Sequence, residues 1–479
     1  MLFQIPLCLG PSTPTIVTIA DGGMTARLRK CKCLNEAPAL RSNVKFALLG
    51  KERKTSRLRR PEQQMSRLAG LTEQASLSLS RPKVRREHHN VLFSWRTFAL
   101  RIGLPFVLTR AILLIAGFIA LTRFTPIPNR NVWEIGPDGE GRVVTLSRPP
   151  TSLSGVGYWP VNIFSRYDAE WYLEIAKNGY HYSPVPEIQS STAFFPLYPA
   201  LMSAGAKLLL AHRDVSILFV GLLISNVSLL IALGYLMALV RLDFDEETAG
   251  RTVLYVLVFP TTLFFSAAYT ESLFLCAIVG AIYYARRGRW LLAGLAGAAA
   301  TLTRPPGVLI FAVLAFEYLH QRNFRWRDMR PDFAALGLIP LALMLHFGYL
   351  YWKFGDFLLF LKSEHAWGRS MSGGRTWLES FAHIEAGDIF VGSVVVVFLV
   401  LAWRQLRPSY RLYALLSFLM PVASGSPTSL ARFCSVIFPL YLAIAIVGRN
   451  PTVERHWLIT SSALAAIYMT LFCQWHYVG

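Results

Sequence analysis

The sequence predicts an all-α polytopic membrane protein with about 11 transmembrane helices and a large first extracytoplasmic loop. Of the 479 residues, 53% are hydrophobic and only 16% are charged, whereas soluble domains carry about 25% charged residues. Apolar runs of about 20 residues recur along the chain, a length that spans a bilayer as a helix. These runs do not alternate with polar residues, so they indicate helices rather than barrel strands.

The N-terminal residues 1–96 form a separate basic segment. They hold 18 Lys and Arg residues and 6 acids, and so contribute +12 of the net charge of +20. Their Arg, Ser, Gln and Pro content, without a sustained apolar period, predicts a disordered cytoplasmic tail. Anionic membrane lipids are its expected partner rather than nucleic acid. Met24 and Met65 are alternative start sites, so the tail is assigned no function, and residues 97–479 are predicted to form the integral-membrane domain.

Eleven apolar segments are predicted to span the membrane, and residues 195–212 are expected to lie along the interface because prolines and a lysine interrupt them. With the N-terminus inside, the cytoplasmic loops collect 14 Arg, whereas the outer loops after the first hold 6 Lys and Arg. This asymmetry satisfies the positive-inside rule. The predicted spans are 101–121, 215–240, 251–266, 270–285, 290–303, 307–320, 333–352, 387–403, 411–423, 431–448 and 457–473.

The same topology places the unusual polar motifs together on the outer side, and this convergence is the strongest functional indication. Ionisable residues near the membrane are costly, so they tend to mark binding or reaction sites. Asp168 and Glu170 lie in the first outer loop. The other outer motifs are residues 194–199, 269–272, 303–307, 353–356, 367–369 and 429–433.

Asp168 stands at the start of a short helix predicted along the interface. One interpretation is an N-cap, since Asp accepts hydrogen bonds from free backbone amides there. The other is a catalytic carboxylate, which needs a partly dry setting and a substrate hydroxyl within hydrogen-bond reach. Glu170, two residues later, points elsewhere on a helix, so it is either the second acid of the candidate site or a solvated surface residue.

Aromatic residues surround the two acids and are candidates for substrate contact. Tyr167 and Trp171 flank Asp168, where they supply an apolar setting. Phe195, Pro196 and Tyr198 belong to a proline-rich turn that is expected to enter the interfacial helix and shape a lipid-chain groove. An aromatic belt at headgroup level is the alternative for the flanking tyrosines and tryptophans, against stacking on a sugar.

Charged residues of the later outer motifs complete the candidate site. Arg304, Lys353 and Arg432 are candidates to hold a phosphate, because guanidinium and ammonium groups pair with phosphate oxygens. Ordinary anchoring to lipid headgroups is the alternative for each one alone. Glu271 could instead stabilise a helix N-terminus, and Asp356 follows Lys353 in the same loop.

Several enzyme classes lack support in the sequence. It contains no nucleotide-binding P-loop, dinucleotide fingerprint, zinc-protease motif or nucleophile elbow. The six cysteines are scattered, and Cys31 and Cys33 alone are too few for a zinc site. No cofactor is predicted, and a role for a divalent metal stays open.

Several motifs resemble the PIG-V family of mannosyltransferases, especially its bacterial branch. The likeness begins with Arg166-Tyr167-Asp168-Ala169-Glu170-Trp171-Tyr172, continues through residues 175–180 and 193–199, and keeps the family order to Phe438-Pro439. It covers residues from about 98 to 475. The family usually has Trp-Asp where this chain has Tyr167-Asp168, which affects the substrate contacts more than the reaction type.

The resemblance implies a GT-C-type glycosyltransferase with a polyprenyl- or dolichyl-phosphate sugar as donor. Asp168 would be its catalytic carboxylate, accepting the proton of an acceptor hydroxyl during a single displacement that inverts the anomeric configuration. Arg304, Lys353 or Arg432 could stabilise the departing phosphate. The identity of the sugar as mannose depends on the resemblance alone, and the acceptor is a glycan, lipid or protein that the sequence does not name.

Two other functions compete with glycosyl transfer. A flippase or transporter of lipid-linked sugars should show repeated halves and polar groups at mid-membrane, whereas no repeat is visible and the polar motifs gather on one side. A non-catalytic scaffold would leave the acids without a role. The preferred location is a bacterial plasma membrane with the site outward, or an endoplasmic reticulum membrane with a lumenal site if the protein is eukaryotic.

Overall fold

The computed structural model describes residues 3–8, 14–20, 23–27, 94–124, 130–135, 141–146, 158–185, 188–210, 213–367, 386–423, 429–476 and 478. The chain divides into two compact units, residues 1–85 and 86–479.

The first unit contains a small antiparallel sheet. Strands β1 (Phe3–Cys8), β2 (Pro14–Ala20) and β3 (Gly23–Arg27) follow one another in space as in sequence. Thr and branched aliphatic residues in β2 are frequent in strands, although the sequence analysis predicted none here. Residues 28–93 lie outside the described residues, so the disorder of the basic tail stays a prediction.

The second unit is built from helices. They are α1 (Trp95–Arg123, with a π-helical turn at Ala99–Gly103), α2 (Asp168–Asn178), α3 (Leu197–Leu208), α4 (Asp214–Val240), α5 (Glu246–Leu257), α6 (Glu271–Arg286), α7 (Trp290–Thr303), α8 (Ile310–Gln321), α9 (Leu338–Phe354), α10 (Ala386–Ala402), α11 (Pro408–Ala423), α12 (Phe438–Val447) and α13 (Pro451–Cys473). Short helical turns include Trp159–Asn162, Leu359–Ser363 and Leu430–Cys434.

Every predicted span overlaps one of these helices. Within the described residues, four helices are long and apolar enough to cross a membrane: α1, α4, the stretch Pro331–Phe354 that ends in α9, and α13. The remaining helices are shorter, so the count of about 11 crossings stays a prediction. Large apolar side chains on the outside of α1, such as Ile112 and Ile115, are well exposed. These features support an integral membrane protein.

Besides the sheet of the first unit, two details of the second unit differ from the predicted architecture. The first loop contains an antiparallel hairpin of β4 (Arg130–Ile135) and β5 (Gly141–Leu146), and β5 includes the β-branched run Val143-Val144-Thr145, which favours a strand. The predicted span 251–266 is interrupted, because α5 ends at Leu257 and a 3₁₀ turn follows at Thr262–Phe265. Pro260 lacks the N–H that a continuing helix would need.

Arg110 of α1 stabilises this interruption from inside the protein. Its guanidinium donates hydrogen bonds to the carbonyl oxygens of Leu257 (3.1 Å) and Thr262 (3.2 Å), and to the hydroxyls of Thr262 (2.8 Å) and Ser266 (2.9 Å). The last carbonyls of a helix have no partner within it. Arg110 therefore satisfies the end of α5 and fixes the segment that leads to α6.

Helix α6 lies at the centre and packs against α4 and α7. Helix α7 also approaches the 3₁₀ turn Pro331–Gly337 closely. This approach depends on Gly294, where a Cβ atom would lie 2.1 Å from the Ala335 carbonyl oxygen. Near the C-terminal end of α6, Arg286 bonds to Asp243 (2.6 Å) and to the Tyr410 hydroxyl (2.6 Å). Arg407 pairs nearby with the buried Glu317 (2.8 Å). This inner network joins the ends of helices that the sequence places on the cytoplasmic side.

Candidate functional site

Helix α2 places Asp168 at its first residue. The preceding residue, Tyr167, has a φ of 56° and a ψ of −115°, a conformation that a residue with a Cβ atom rarely adopts. Strained backbone of this kind persists only where the surrounding structure holds it, and it is frequent at functional sites. The Tyr269 hydroxyl holds this turn, because it donates to the Arg166 carbonyl (2.8 Å) and accepts from the Asp168 amide (3.3 Å).

Asp168 belongs to an ion-pair network with three other predicted site residues. Its Oδ2 lies 2.5 Å from Nη1 of Arg432. Arg432 also pairs through Nε with Oε1 of Glu271, and Arg304 donates to the same oxygen at 2.6 Å. The structure places Tyr167, not Asp168, at the N-cap, and no side chain caps the helix there; the N-cap interpretation of Asp168 is therefore wrong, and its carboxylate pairs with Arg432 instead. We call these four residues the acid–arginine network; it holds two acids and two arginines, so it is formally neutral.

The network is mostly withdrawn from solvent. Glu271 is fully buried, whereas the Asp168 side chain keeps 18% of its surface exposed. Aromatic rings surround the cations: Arg432 lies 4.5 Å from the centre of the Tyr269 ring and Arg304 lies 5.2 Å from that of Phe433. Asp168 is thus the most accessible member of the network.

Tyr172 connects the network to the aromatic part of the site. Its hydroxyl shares a hydrogen bond with Thr270 (3.3 Å), the residue before Glu271. Burial, with the nearby Asp168 carboxylate, raises the pKa of Tyr172 above its ordinary value, so the hydroxyl keeps its proton at neutral pH. Tyr172 also packs against Phe194 and Tyr198.

The predicted aromatic residues differ in their contacts: some pack against neighbouring rings at the site, and another is fully buried. Trp171 stacks on Phe194 with ring centres 5.6 Å apart, and Phe195 packs against His346 at 4.7 Å. Tyr198 is fully buried, and its hydroxyl donates to the Gly221 carbonyl (2.8 Å). Pro196 precedes α3. Substrate contact by these residues stays a prediction, although the burial of Tyr198 fits a supporting role.

The other predicted residues lie around this core. Lys353 donates to the Tyr180 carbonyl (2.7 Å), just beyond the end of α2. Asp356 pairs with the exposed Lys362, and Glu170 is half-buried on α2. Roles for Lys353, Asp356 and Glu170 in substrate binding stay predictions. Of the motif at 367–369, residues 368–369 lie outside the described residues.

The acid–arginine network and the inner network around Arg286 lie at opposite ends of α6. Glu271 begins this helix and Arg286 ends it. Its 16 residues rise about 24 Å, at about 1.5 Å each. The motifs that the topology assigned to one side therefore meet at one end of the helical core, and the Arg-rich loops meet at the other end.

Two important residues were not among the predicted site residues. Tyr269 holds both sides of the Tyr167 turn, and its place directly before Thr270-Glu271 was the available signal. Arg166 is 2% exposed and stacks over the Trp475 ring at 4.5 Å. Its position two residues before Asp168, in the first-loop motif, was the available signal.

The described residues contain no group of three or more His, Cys, Asp or Glu side chains placed to hold a metal ion. Each acid of the network faces an arginine instead. A requirement for a divalent metal therefore stays open.

The family described as Mannosyltransferase (PIG-V) matches residues 152–357, which confirms the predicted resemblance over that range. GPI alpha-1,6-mannosyltransferase 2 of Rattus norvegicus is 34% identical over 153 residues, which are 30% of this chain and 30% of the relative. The enzyme of the same name from Mus musculus is 32% identical over 158 residues, 31% of this chain and 30% of the relative. The match thus spans less than a third of these relatives.

Solved structures give a weaker likeness. The Archaeoglobus fulgidus oligosaccharyltransferase in its apo form has a TM-score of 0.41 and 14% identity, covering 80% of this chain and 56% of that chain. ArnT from Cupriavidus metallidurans has a TM-score of 0.39 and 15% identity, covering 77% of this chain and 75% of that chain. At these scores the likeness supports no conclusion about this chain.

Proposed function

We propose that this chain, whose residues 152–357 match the PIG-V mannosyltransferases, transfers a mannosyl or related glycosyl residue from a polyprenyl- or dolichyl-phosphate sugar to an acceptor. One observation carries the proposal: the partly exposed Asp168 carboxylate lies at a strained turn and is held by a buried network from three distant motifs. Strain and burial of charge at this place cost folding stability, so they indicate a functional role for Asp168 rather than a structural one.

Asp168 would act as the general base in a single displacement. An acceptor hydroxyl would bond to its carboxylate and lose its proton as the oxygen attacks the anomeric carbon. The bond between that carbon and the phosphate oxygen breaks, and the configuration inverts. The lipid phosphate departs with the bonding electrons, and the growing negative charge is stabilised by nearby positive groups.

Arg432 and Glu271 would set the position of this base. Arg432 contacts both carboxylates, and Arg304 donates to the same Glu271 oxygen as Arg432. Since Glu271 is fully buried, it is a positioning residue that fixes Arg432 rather than a group that meets substrate. A rigid supporting shell of this kind keeps a reactive group in its productive geometry.

The site is proposed to face away from the cytosol. The acid–arginine network lies at the end of α6 opposite Arg286, and the Arg-rich loops gather near that other end. In a bacterium this places the reaction outside the plasma membrane, and in a eukaryote in the lumen of the endoplasmic reticulum.

Asp168→Asn tests the chemistry because it keeps the size of the side chain and removes its charge. We expect transfer from a lipid-phosphate mannose donor to fall at least about 100-fold, the lower range for loss of a general base, with normal abundance in the membrane. Asp214→Asn is the matched control: Asp214 also begins a helix, but it pairs at the surface with Lys177 (2.8 Å). Full activity of Asp168→Asn would reject the assignment.

A further inference from the structure

Among the described residues, Arg166 forms no ion pair, although the carboxylate of Glu170 lies near enough to favour its charged form. The Arg166 side chain is 2% exposed, and among the described residues its Nε and Nη1 atoms have no hydrogen-bond partner. A buried ion is strongly destabilising unless it is paired and hydrogen-bonded. Burial lowers the pKa of the Arg166 guanidinium below its ordinary value, yet an arginine remains charged in proteins.

The Trp475 ring compensates only part of this cost. The Arg166 guanidinium lies 4.5 Å from the centre of that ring, and a cation over an aromatic face is attracted by its quadrupole. A ring accepts no conventional hydrogen bonds from Nε and Nη1. The two donors therefore have no hydrogen-bond acceptor among the described residues.

Two polar atoms on the same chain segments are also buried without a hydrogen-bond partner among the described residues. They are Ser165 Oγ and Gln474 Oε1. Gln474 is itself held by bonds from Nε2 to the carbonyls of Ala120 (2.7 Å) and Phe124 (3.3 Å). The two chain segments touch where Tyr167 and Arg166 pack on Trp475. Buried polar atoms without partners are rare in native proteins and call for a ligand or an explanation.

The other cations near Asp168 are already engaged. Arg432 and Arg304 neutralise the two acids of the network, and Lys353 bonds to a backbone carbonyl. Because the network is formally neutral, an anionic ligand gains net attraction from a further positive charge. Arg166 supplies that charge two residues from the Asp168 carboxylate, and the half-buried Glu170 offsets part of it.

From this arrangement we infer that Arg166 binds the phosphate of a phosphorylated polyprenol, an inference that rests on the proposed function. Nε and Nη1 would donate charge-assisted hydrogen bonds to phosphate oxygens. Ser165 Oγ would add a neutral hydrogen bond. The Asp168 carboxylate would then face the sugar, on the side of the anomeric carbon away from the phosphate.

Direct binding of farnesyl phosphate to the purified full chain in detergent tests this role without requiring transfer. We expect wild type to bind farnesyl phosphate, not to bind farnesol, and to be displaced only weakly by inorganic phosphate. Arg166→Met should bind about 10- to 100-fold more weakly, as expected for a lost charge-assisted hydrogen bond, and Arg166→Lys should keep part of the affinity. Lys177→Met, which removes an exposed positive charge of α2, should bind as wild type does.

Three results would overturn the inference. They are no binding of farnesyl phosphate to wild type, unchanged binding in a folded Arg166→Met, and displacement by inorganic phosphate as effective as that by farnesyl phosphate, which would indicate a site for free phosphate. If Arg166→Met does not fold, Arg166→Lys replaces it in the test: reduced affinity for farnesyl phosphate is the expected result, and an affinity equal to that of wild type would overturn the inference. Failure of the proposed function looks different: Arg166-dependent binding would persist in a wild-type protein that transfers no sugar.

Discussion

Neutralising Glu271 should destabilise the protein far more than neutralising a surface acid. In Glu271→Gln the side chain keeps its shape and one acceptor oxygen but loses its charge. Arg304 then has no acid in the network, and Arg432 retains only Asp168. A buried guanidinium without its counter-charge is the consequence, and Glu271 is completely inaccessible to the water that could compensate.

The magnitude follows from the contacts. Arg304 Nη1 lies 2.6 Å from Glu271 Oε1, and two charges about 4 Å apart attract by about 4 kcal/mol at an effective dielectric constant of about 20. Removing one partner of a buried pair costs about 3–5 kcal/mol in measured cases. We therefore expect the free energy of unfolding to fall by about 3–5 kcal/mol in Glu271→Gln.

The assay is reversible unfolding of the full chain in mixed micelles by titration with denaturing detergent. Glu247→Gln is the control, because Glu247 pairs with Arg251 at 2.8 Å but is 66% exposed, and pairs of this kind contribute about 0.3–0.5 kcal/mol. The double variant Glu271→Gln/Arg304→Gln should lose less stability than the sum of the two single variants. A loss below about 1 kcal/mol in Glu271→Gln would contradict the charge argument.

Two further predictions concern packing and topology. Gly294→Ala should prevent stable folding, because the new Cβ would lie 2.1 Å from the Ala335 carbonyl oxygen, whereas Gly348→Ala, with nothing within 4 Å, should be tolerated. The abundance of each variant in detergent extracts measures this effect, and equal abundance of the two variants would contradict the packing argument. A cysteine at the exposed Asn178 should react with an impermeant maleimide added outside, whereas a cysteine at the exposed Arg325 should react only after permeabilisation. The reverse pattern would place Asp168 in the cytosol and reject the proposed sidedness.

The helices could be predicted because hydropathy is a local property of sequence. Each predicted span overlaps an observed helix, since about 20 apolar residues have few other stable states in a bilayer. The interruption after Leu257 was missed, although Pro260 was visible, because the alternative depends on Arg110 to satisfy the freed carbonyls. Arg110 lies 147 residues away from Leu257. No local pattern reveals such a partner.

The site was predicted at the level of its members but not of its pairs. Alternating topology placed Asp168, Glu271, Arg304 and Arg432 on one side, and the structure brings these four together. Which acid meets which arginine depends on tertiary packing, since Asp168 and Arg432 are 264 positions apart. For the same reason, Arg304 and Arg432 were predicted only as phosphate ligands, and their pairing with Glu271 was not foreseen.

In the proposed reaction, the neutrality of the acid–arginine network would let one site serve both the base and the leaving group. Had Arg432 and Arg304 lacked acidic partners, their charge would attract the donor phosphate to the place where the acceptor hydroxyl must meet Asp168. Pairing them with Asp168 and Glu271 removes that competition. In the proposed arrangement, a phosphate would then be drawn to Arg166, which forms no ion pair among the described residues. The Tyr269 hydroxyl fixes Arg166 relative to Asp168, because it bridges the backbone of both residues. The strained Tyr167 lies between these two residues and would set the separation of the proposed base and the proposed phosphate site.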